Sequence, residues 1–256
     1  MKAFLVVMVL AVVIGTLFDI VHKGSAKYFF ANMRKAKGKG RPIAGGELVS
    51  IAVQTAVVDV LASGEFCNQK RRVAHLLGMY GFVLYVIATA VMVFAYPTAA
   101  TPTPAIWPAL WWIGALMVLV GGYWFWFFIR VDVAAEGNTP LRLVKADLFV
   151  VSMLVSVTLA VIWAAAGGGT GWLFWLYLLA TAVLFLGVPW SKFAHMFFKP
   201  AAAFDKRVQR ANGTAENLPT QTRDDPEQRT RHSMELLRDA PMDMGLGIKR
   251  EAPRHY

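Results

Sequence analysis

Five long apolar stretches constrain this chain more than any other feature. They run from about Ala3 to Val21, Val73 to Tyr96, Ile106 to Ile129, Leu148 to Ala166 and Trp172 to Trp190. Crossing the hydrocarbon of a bilayer takes about 20 residues of α-helix at 1.5 Å each, and each stretch approaches that length. Their ends carry physical stops: Pro97 after the second, Pro104 and Pro108 about the start of the third, and Gly167, Gly168 and Gly169 after the fourth. Of the 256 residues 57% are apolar and 16% charged. That is too much apolar surface for one soluble core of this size. A single cysteine, Cys67, excludes a disulfide framework and clusters held by several thiolates of this chain.

The first stretch starts at Lys2 as a signal peptide would, but Phe18, Asp19 and His22 stand where a small-residue cleavage site would lie. It reads as a retained anchor. Cations give the orientation. Lys23, Lys27, Arg34, Lys35, Lys37, Lys39, Arg41, Lys70, Arg71 and Arg72 follow the first span, and Arg130, Arg142 and Lys145 follow the third. The loops at 97–105 and 167–171 carry none. By the positive-inside rule the N-terminus lies outside and the C-terminus inside. The expected fold is therefore an all-α integral membrane protein, a five-helix bundle in a bacterial cytoplasmic membrane. Its membrane domain covers 1–200, with a cytoplasmic loop at 22–72. Glu47 to Ala62 is too short and too interrupted to span, and reads as an amphipathic helix at the membrane surface or under a partner. Residues 201–256 carry few large apolar side chains and nearly balanced charge, and read as a disordered cytoplasmic tail. Nearly all of the net charge of +10 thus sits at the membrane-proximal part, facing lipid or an acidic protein and not nucleic acid.

Few residues could carry chemistry. His22 closes the first span, His75 opens the second and His195 follows the fifth, all at about one depth, while His232 and His255 lie in the tail. Two neutral imidazoles facing one another across a bundle are what an axially ligated haem b needs. Histidines at a membrane interface also occur simply because their polar edge stays wet, and both readings remain open here. Asp19 and His22, three residues apart, share a helix face. Arg130 and Asp132 read as an interfacial pair, and Cys67 as an inert thiol. Gly78 and Gly81 permit close approach of a helix or a flat ring. No phosphate loop, metalloprotease motif or nucleophile elbow is present.

The run Arg72, Val73, Ala74, His75, then Met79, Tyr80, Gly81, Phe82, and the segment from Trp190 through His195 to Pro200 resemble the second and fifth helices of the respiratory nitrate reductase gamma-subunit-like family. Those are five-helix, N-out membrane cytochromes b. Within that group the first 210 residues are similar to the membrane anchors of dissimilatory adenylylsulfate reductase. The most specific stretches are Val53 to Val60, Ser63 to Asn68, Gly121 to Gly137 and Pro189 to Pro200. The resemblance implies an anchor, not itself catalytic, that holds a soluble flavin and iron–sulfur reductase at the cytoplasmic face and links its electrons to the quinone pool. His75 and His195 would be the axial ligands of one haem b, with His22 ranking behind them. Two-haem members carry a second histidine pair, where this chain holds residues such as Tyr85 and Tyr177, so the outer haem is excluded. An anchor with no redox centre is the alternative.

Overall fold

The computed structural model describes residues 1–64, 69–98, 100–130, 141–144, 147–191, 196, 198–215 and 218. Among them the regular structure is helical throughout. In chain order the α-helices are α1 (Lys2–Lys23), α2 (Ser25–Lys39), α3 (Gly45–Gln54), α4 (Gln69–Ala95), α5 (Ile106–Trp124), α6 (Leu148–Ala165), α7 (Trp172–Gly187) and α8 (Lys199–Ala211). Two run on as π-helix, α3 through Thr55–Leu61 and α5 through Phe125–Ile129, and α7 ends in a 3₁₀ turn, Val188–Trp190. Five helices are long and apolar enough to cross a membrane: Lys2–His22, Gln69–Ala95, Ile106–Ile129, Leu148–Ala165 and Trp172–Trp190. They coincide with the five apolar stretches of the sequence, giving a multi-pass architecture.

The contacts divide the chain into two compact units. The first holds Met1–Ala26, Gln69–Ile129 and Leu143–Phe198, which is to say all five long helices. Its core gathers Tyr85, Ala88, Trp111, Ala115, Val118, Met153, Val157, Ala160, Tyr177 and Leu184. The tightest seam joins α4 to α5 through glycine. A Cβ added at Gly81 would lie 2.8 Å from the Gly114 carbonyl oxygen, and one at Gly114 would lie 2.6 Å from the Tyr85 backbone nitrogen. At Gly121 it would meet the Ala74 carbonyl oxygen at 2.7 Å. Small residues in these positions let two backbones approach and gain dispersion contacts in a medium with no hydrophobic drive between helices. Gly81 is thus a helix-packing residue. Beside Gly78, in contrast, an added Cβ would meet nothing within 4 Å.

The second unit takes Lys27–Asn68, Arg130–Arg142 and the chain from Lys199. Two differences from the sequence reading stand here. The basic stretch after the first span is not an open loop: Gly24 caps α1 in the left-handed region at φ 62°, and α2 starts at once. Its Lys, Ala, Met and Arg residues are good helix formers, so no apolar stripe was needed to place a helix there. The stretch from 201, expected to lack structure, begins inside α8, with Ala203, Val208 and Gln209 buried. That expectation is corrected for Lys199–Ala211, because the burial comes from packing on α3 and its π-helical extension. Most of the tail, from 219 on, lies outside the described residues, as do His232 and His255.

The amphipathic helix expected over Glu47–Ala62 forms as α3 and its π-helical continuation. Ile51 and Thr55 turn inward, and the Thr55 hydroxyl donates to the Ile51 carbonyl at 2.8 Å. Val49, Val53, Val57 and Leu61 are exposed. The element closes at Ser63, a buried residue at φ 49°, followed by the Gly64 amide donating to Val58 O at 2.7 Å. Serine bears a left-handed conformation that glycine ordinarily supplies.

Candidate functional site

Two sets of polar residues stand out, one in each unit. In the bundle the Tyr85 and Tyr177 hydroxyls lie 2.8 Å apart, both buried, joining α4 to α7. Tyr85 packs on Trp111 at 5.3 Å between ring centroids, and Tyr177 stacks on Trp163 at 5.9 Å. One turn along α7, Thr181 bonds Ser156 of α6 at 2.8 Å and donates to the Tyr177 carbonyl. A buried hydroxyl with no partner costs about 1–3 kcal/mol, so each of these is stabilised chiefly by the presence of the other. Tyr85 and Tyr177 thus fill the bundle interior between themselves. The sequence singled them out only as departures from a histidine pattern. Ser156 and Thr181 were missed, although Ser152 and Ser156, like Tyr177 and Thr181, repeat at i, i+4 within apolar helices, the one signal that marks a polar face.

The histidines are arranged less simply. His22 is exposed and stacks on Phe18, with centroids 5.4 Å apart and planes within 7°. Asp19 on the same helix is buried. His75 is exposed on α4 beside buried Ala74, and three residues on, at Gly78, lies the open space already noted. His195 is outside the described residues, as are Cys67 and Asp132. Arg130, expected to pair with Asp132, is buried and donates to the Arg142 carbonyl at 3.0 Å. Among the described residues no group of three or more His, Cys, Asp or Glu is placed to hold a metal ion. An axially ligated haem would need two imidazoles, and of the candidate pair only His75 lies among the described residues.

The second unit is held by two arginines. Arg207 of α8 grips Asp59 with two bonds, at 2.7 and 3.0 Å, and reaches the Gln54 side-chain oxygen at 3.4 Å. Arg41 holds Glu47 by its two terminal guanidinium nitrogens and donates through Nε to the Ala211 carbonyl at 2.8 Å, while its own amide donates to Asn212 O at 3.0 Å. The Glu47 carboxylate raises the Arg41 pKa through its hydrogen bond and its charge, so Arg41 stays cationic. Both acids of α3 and its extension are therefore neutralised within the unit. Lys35, Lys199, Lys206 and Arg210 remain exposed around it. Burial pushes the Asp205 carboxyl above the usual carboxylate range, and the bond from Gln209 Nε2 at 2.6 Å offsets only part of that. Its Oδ1 is buried with no hydrogen-bond partner.

Residues 47–216 match the family described as CitB, citrate utilization protein B. The chain belongs to the CitB family. The matched region runs from α3 through α8 and leaves α1 and α2 outside it. No curated protein and no solved structure matches the chain. The CitB match thus takes in both the Tyr85–Tyr177 pair and the Arg207–Asp59 clasp.

Proposed function

We propose that this chain is a membrane anchor for a soluble flavin and iron–sulfur reductase of the adenylylsulfate reductase type, passing its electrons to quinone. The observation that carries the reading is the second unit. Stretches of chain that the five spans would leave on one side of the membrane come together as a preassembled, cation-rich body. Glu47 and Asp59 are paired within it, and the exposed stripe of Val49, Val53, Val57 and Leu61 has no charge within it. Such a surface suits an acidic soluble protein: cations steer the encounter, and an apolar strip gives contacts that salt does not screen. His75 with His195 would hold a haem b, which supplies one-electron transfer when bound, and the bundle's own hydroxyls keep the remaining interior filled.

The test is sedimentation of the soluble reductase with membranes. High salt releases it in part, Lys35 and Lys39 changed together to Glu release more, and Val53→Ser with Val57→Ser releases it at low salt as well. If the reductase sediments equally without this chain, the anchor reading fails. A visible spectrum separates electron transfer from a purely structural anchor: a reducible b-type α band supports the first, and its absence from protein made with haem in excess supports the second.

The CitB description favours a second reading, in which the same anchor serves a soluble enzyme of citrate utilisation. Deleting the gene separates the two. Loss of growth on citrate with sulfite oxidation intact supports the second, and the reverse supports the first.

A further inference from the structure

We propose that the face of α2 formed by Lys27, Phe30 and Arg34 binds the headgroups of anionic phospholipid, with the two cations on phosphates and the phenyl ring at the acyl boundary. The inference goes beyond the anchor reading and holds whichever soluble enzyme the chain serves.

The charge is one-sided. From Lys23 to Gly46 every charged residue is Lys or Arg. Arg41 and Arg207 are held by Glu47 and Asp59, whereas Lys27 and Arg34 have no acid on their own helix to pair with. The chain also keeps this charge near the membrane. Lys27 follows His22, the last residue of the first span, by five positions, and five residues even fully extended reach at most about 18 Å. Gly24, left-handed at φ 62°, closes α1, so α2 is a separate helix and not a continuation of the span.

Helix geometry sorts the residues of α2. At about 100° per residue, Lys27, Phe30 and Arg34 fall within an arc of about 60°. All three are exposed, Phe30 at 53%. Phe29 and Met33, on another side, are half-buried. Arg34 Nε donates to the Phe30 carbonyl, one turn back, at 3.3 Å. That bond tethers the guanidinium to the helix, and its two terminal nitrogens carry the paired N–H groups that fit a phosphate. A phenyl ring has no polar edge to keep wet, and the cations on either side can lay their stems on apolar surface while their heads stay among phosphates. Cations and an aromatic ring on an exposed helix face, directly after a span, match the chemistry of an anionic lipid surface.

A second exposed set, Tyr28, Lys35 and Lys39, lies about a third of a turn further round. Its ring carries a hydroxyl that water solvates, and this face is left to the soluble partner. Lipid held on one face steadies the helix that presents the other.

The experiment uses the full-length protein in nanodiscs of phosphatidylcholine with a minor fraction of phosphatidylglycerol that carries a photoreactive group near its headgroup. Label on α2 is located by peptide mass spectrometry, and affinity is the phosphatidylglycerol fraction that gives half-maximal label there. In the wild type, which needs no variant to fold, α2 should be labelled, and a phosphatidylcholine probe should label it less. Lys27→Gln with Arg34→Gln should weaken binding about fivefold for each cation and roughly thirtyfold for the pair. Phe30→Ser should weaken it too, and Lys206→Gln, an exposed cation on α8, should not. Equal labelling of α2 by the two probes, label confined to other helices, or a double variant that binds like the wild type overturns the site. If the double variant keeps its lipid label and instead releases the soluble reductase from membranes, the face belongs to the protein partner and the proposal fails. None of these outcomes overturns the anchor reading, which is tested by sedimentation.

Discussion

Tyr85 and Tyr177 show how a single bond can be stabilising only while both partners stand. Tyr85→Phe leaves the Tyr177 hydroxyl buried beside a ring that cannot receive it, and the expected cost is about 1–2 kcal/mol. The double change to Phe should recover part of that loss, since no stranded hydroxyl remains at that bond. Unfolding midpoints in mixed micelles for the two singles and the double give the coupling, and additive losses would show that the bond contributes nothing. Asp205 gives a pH dependence of opposite sense to that of a salt-bridged acid. Its folded pKa is raised, so the folded state holds the proton more tightly than the unfolded chain does. The stabilisation is fully present below the ordinary carboxylate range and is lost as pH rises through the folded value. Hydrogen exchange of α8 amides, corrected for its intrinsic pH dependence, should therefore show protection that weakens as pH rises above the ordinary carboxylate range. Asp205→Asn should abolish that trend.

At the level of elements, the α4–α5 seam tells apart two glycines that look alike in the sequence. Gly81→Ala drives a Cβ into the Gly114 carbonyl and the Val118 nitrogen, atoms of a backbone that cannot turn aside. The expected loss is about 1–3 kcal/mol. Gly78→Ala points into open space and should change stability by less than about 0.5 kcal/mol, with the better helix propensity of alanine in its favour. Thermal unfolding of the two variants checks the contrast. The five long helices were legible because hydropathy is a local quantity, and Pro97, Pro104 and the glycines at 167–169 mark their ends. Those three glycines take φ of 89°, 72° and 95°, which a residue with a Cβ rarely adopts. The polar helices were not legible in the same way. Nothing local in α8 announces that Arg207 will meet Asp59, and without that partner its composition reads as unstructured. The His75 and His195 reading was drawn from spacing and resemblance, and spacing alone cannot reveal the open flank at Gly78 or the bond between Tyr85 and Tyr177.

For the whole molecule, the charge asymmetry makes a topology that reporter fusions can check. A reporter active only outside the membrane should work after Thr101 or Gly169 and fail after Ala36 or Gly213. Activity at Ala36 would invert the orientation and with it the side on which a partner docks. The clasp of Arg207 on Asp59 also sets an order of events during synthesis. The two residues stand 148 positions apart, with four long helices made between them. At 5–20 residues per second, Asp59 waits roughly 7–30 s for its arginine. Until then the segment from Gly45 to Leu61 has the Arg41–Glu47 pair but neither the pair to Asp59 nor α8 packed against it. A nascent chain stalled or mis-inserted at any later span would present that unfinished segment, apolar on both flanks, to chaperones and proteases. Completion of the second unit thus reports that every span has been made, and a soluble partner that recognises only the finished surface would never be recruited to a broken anchor.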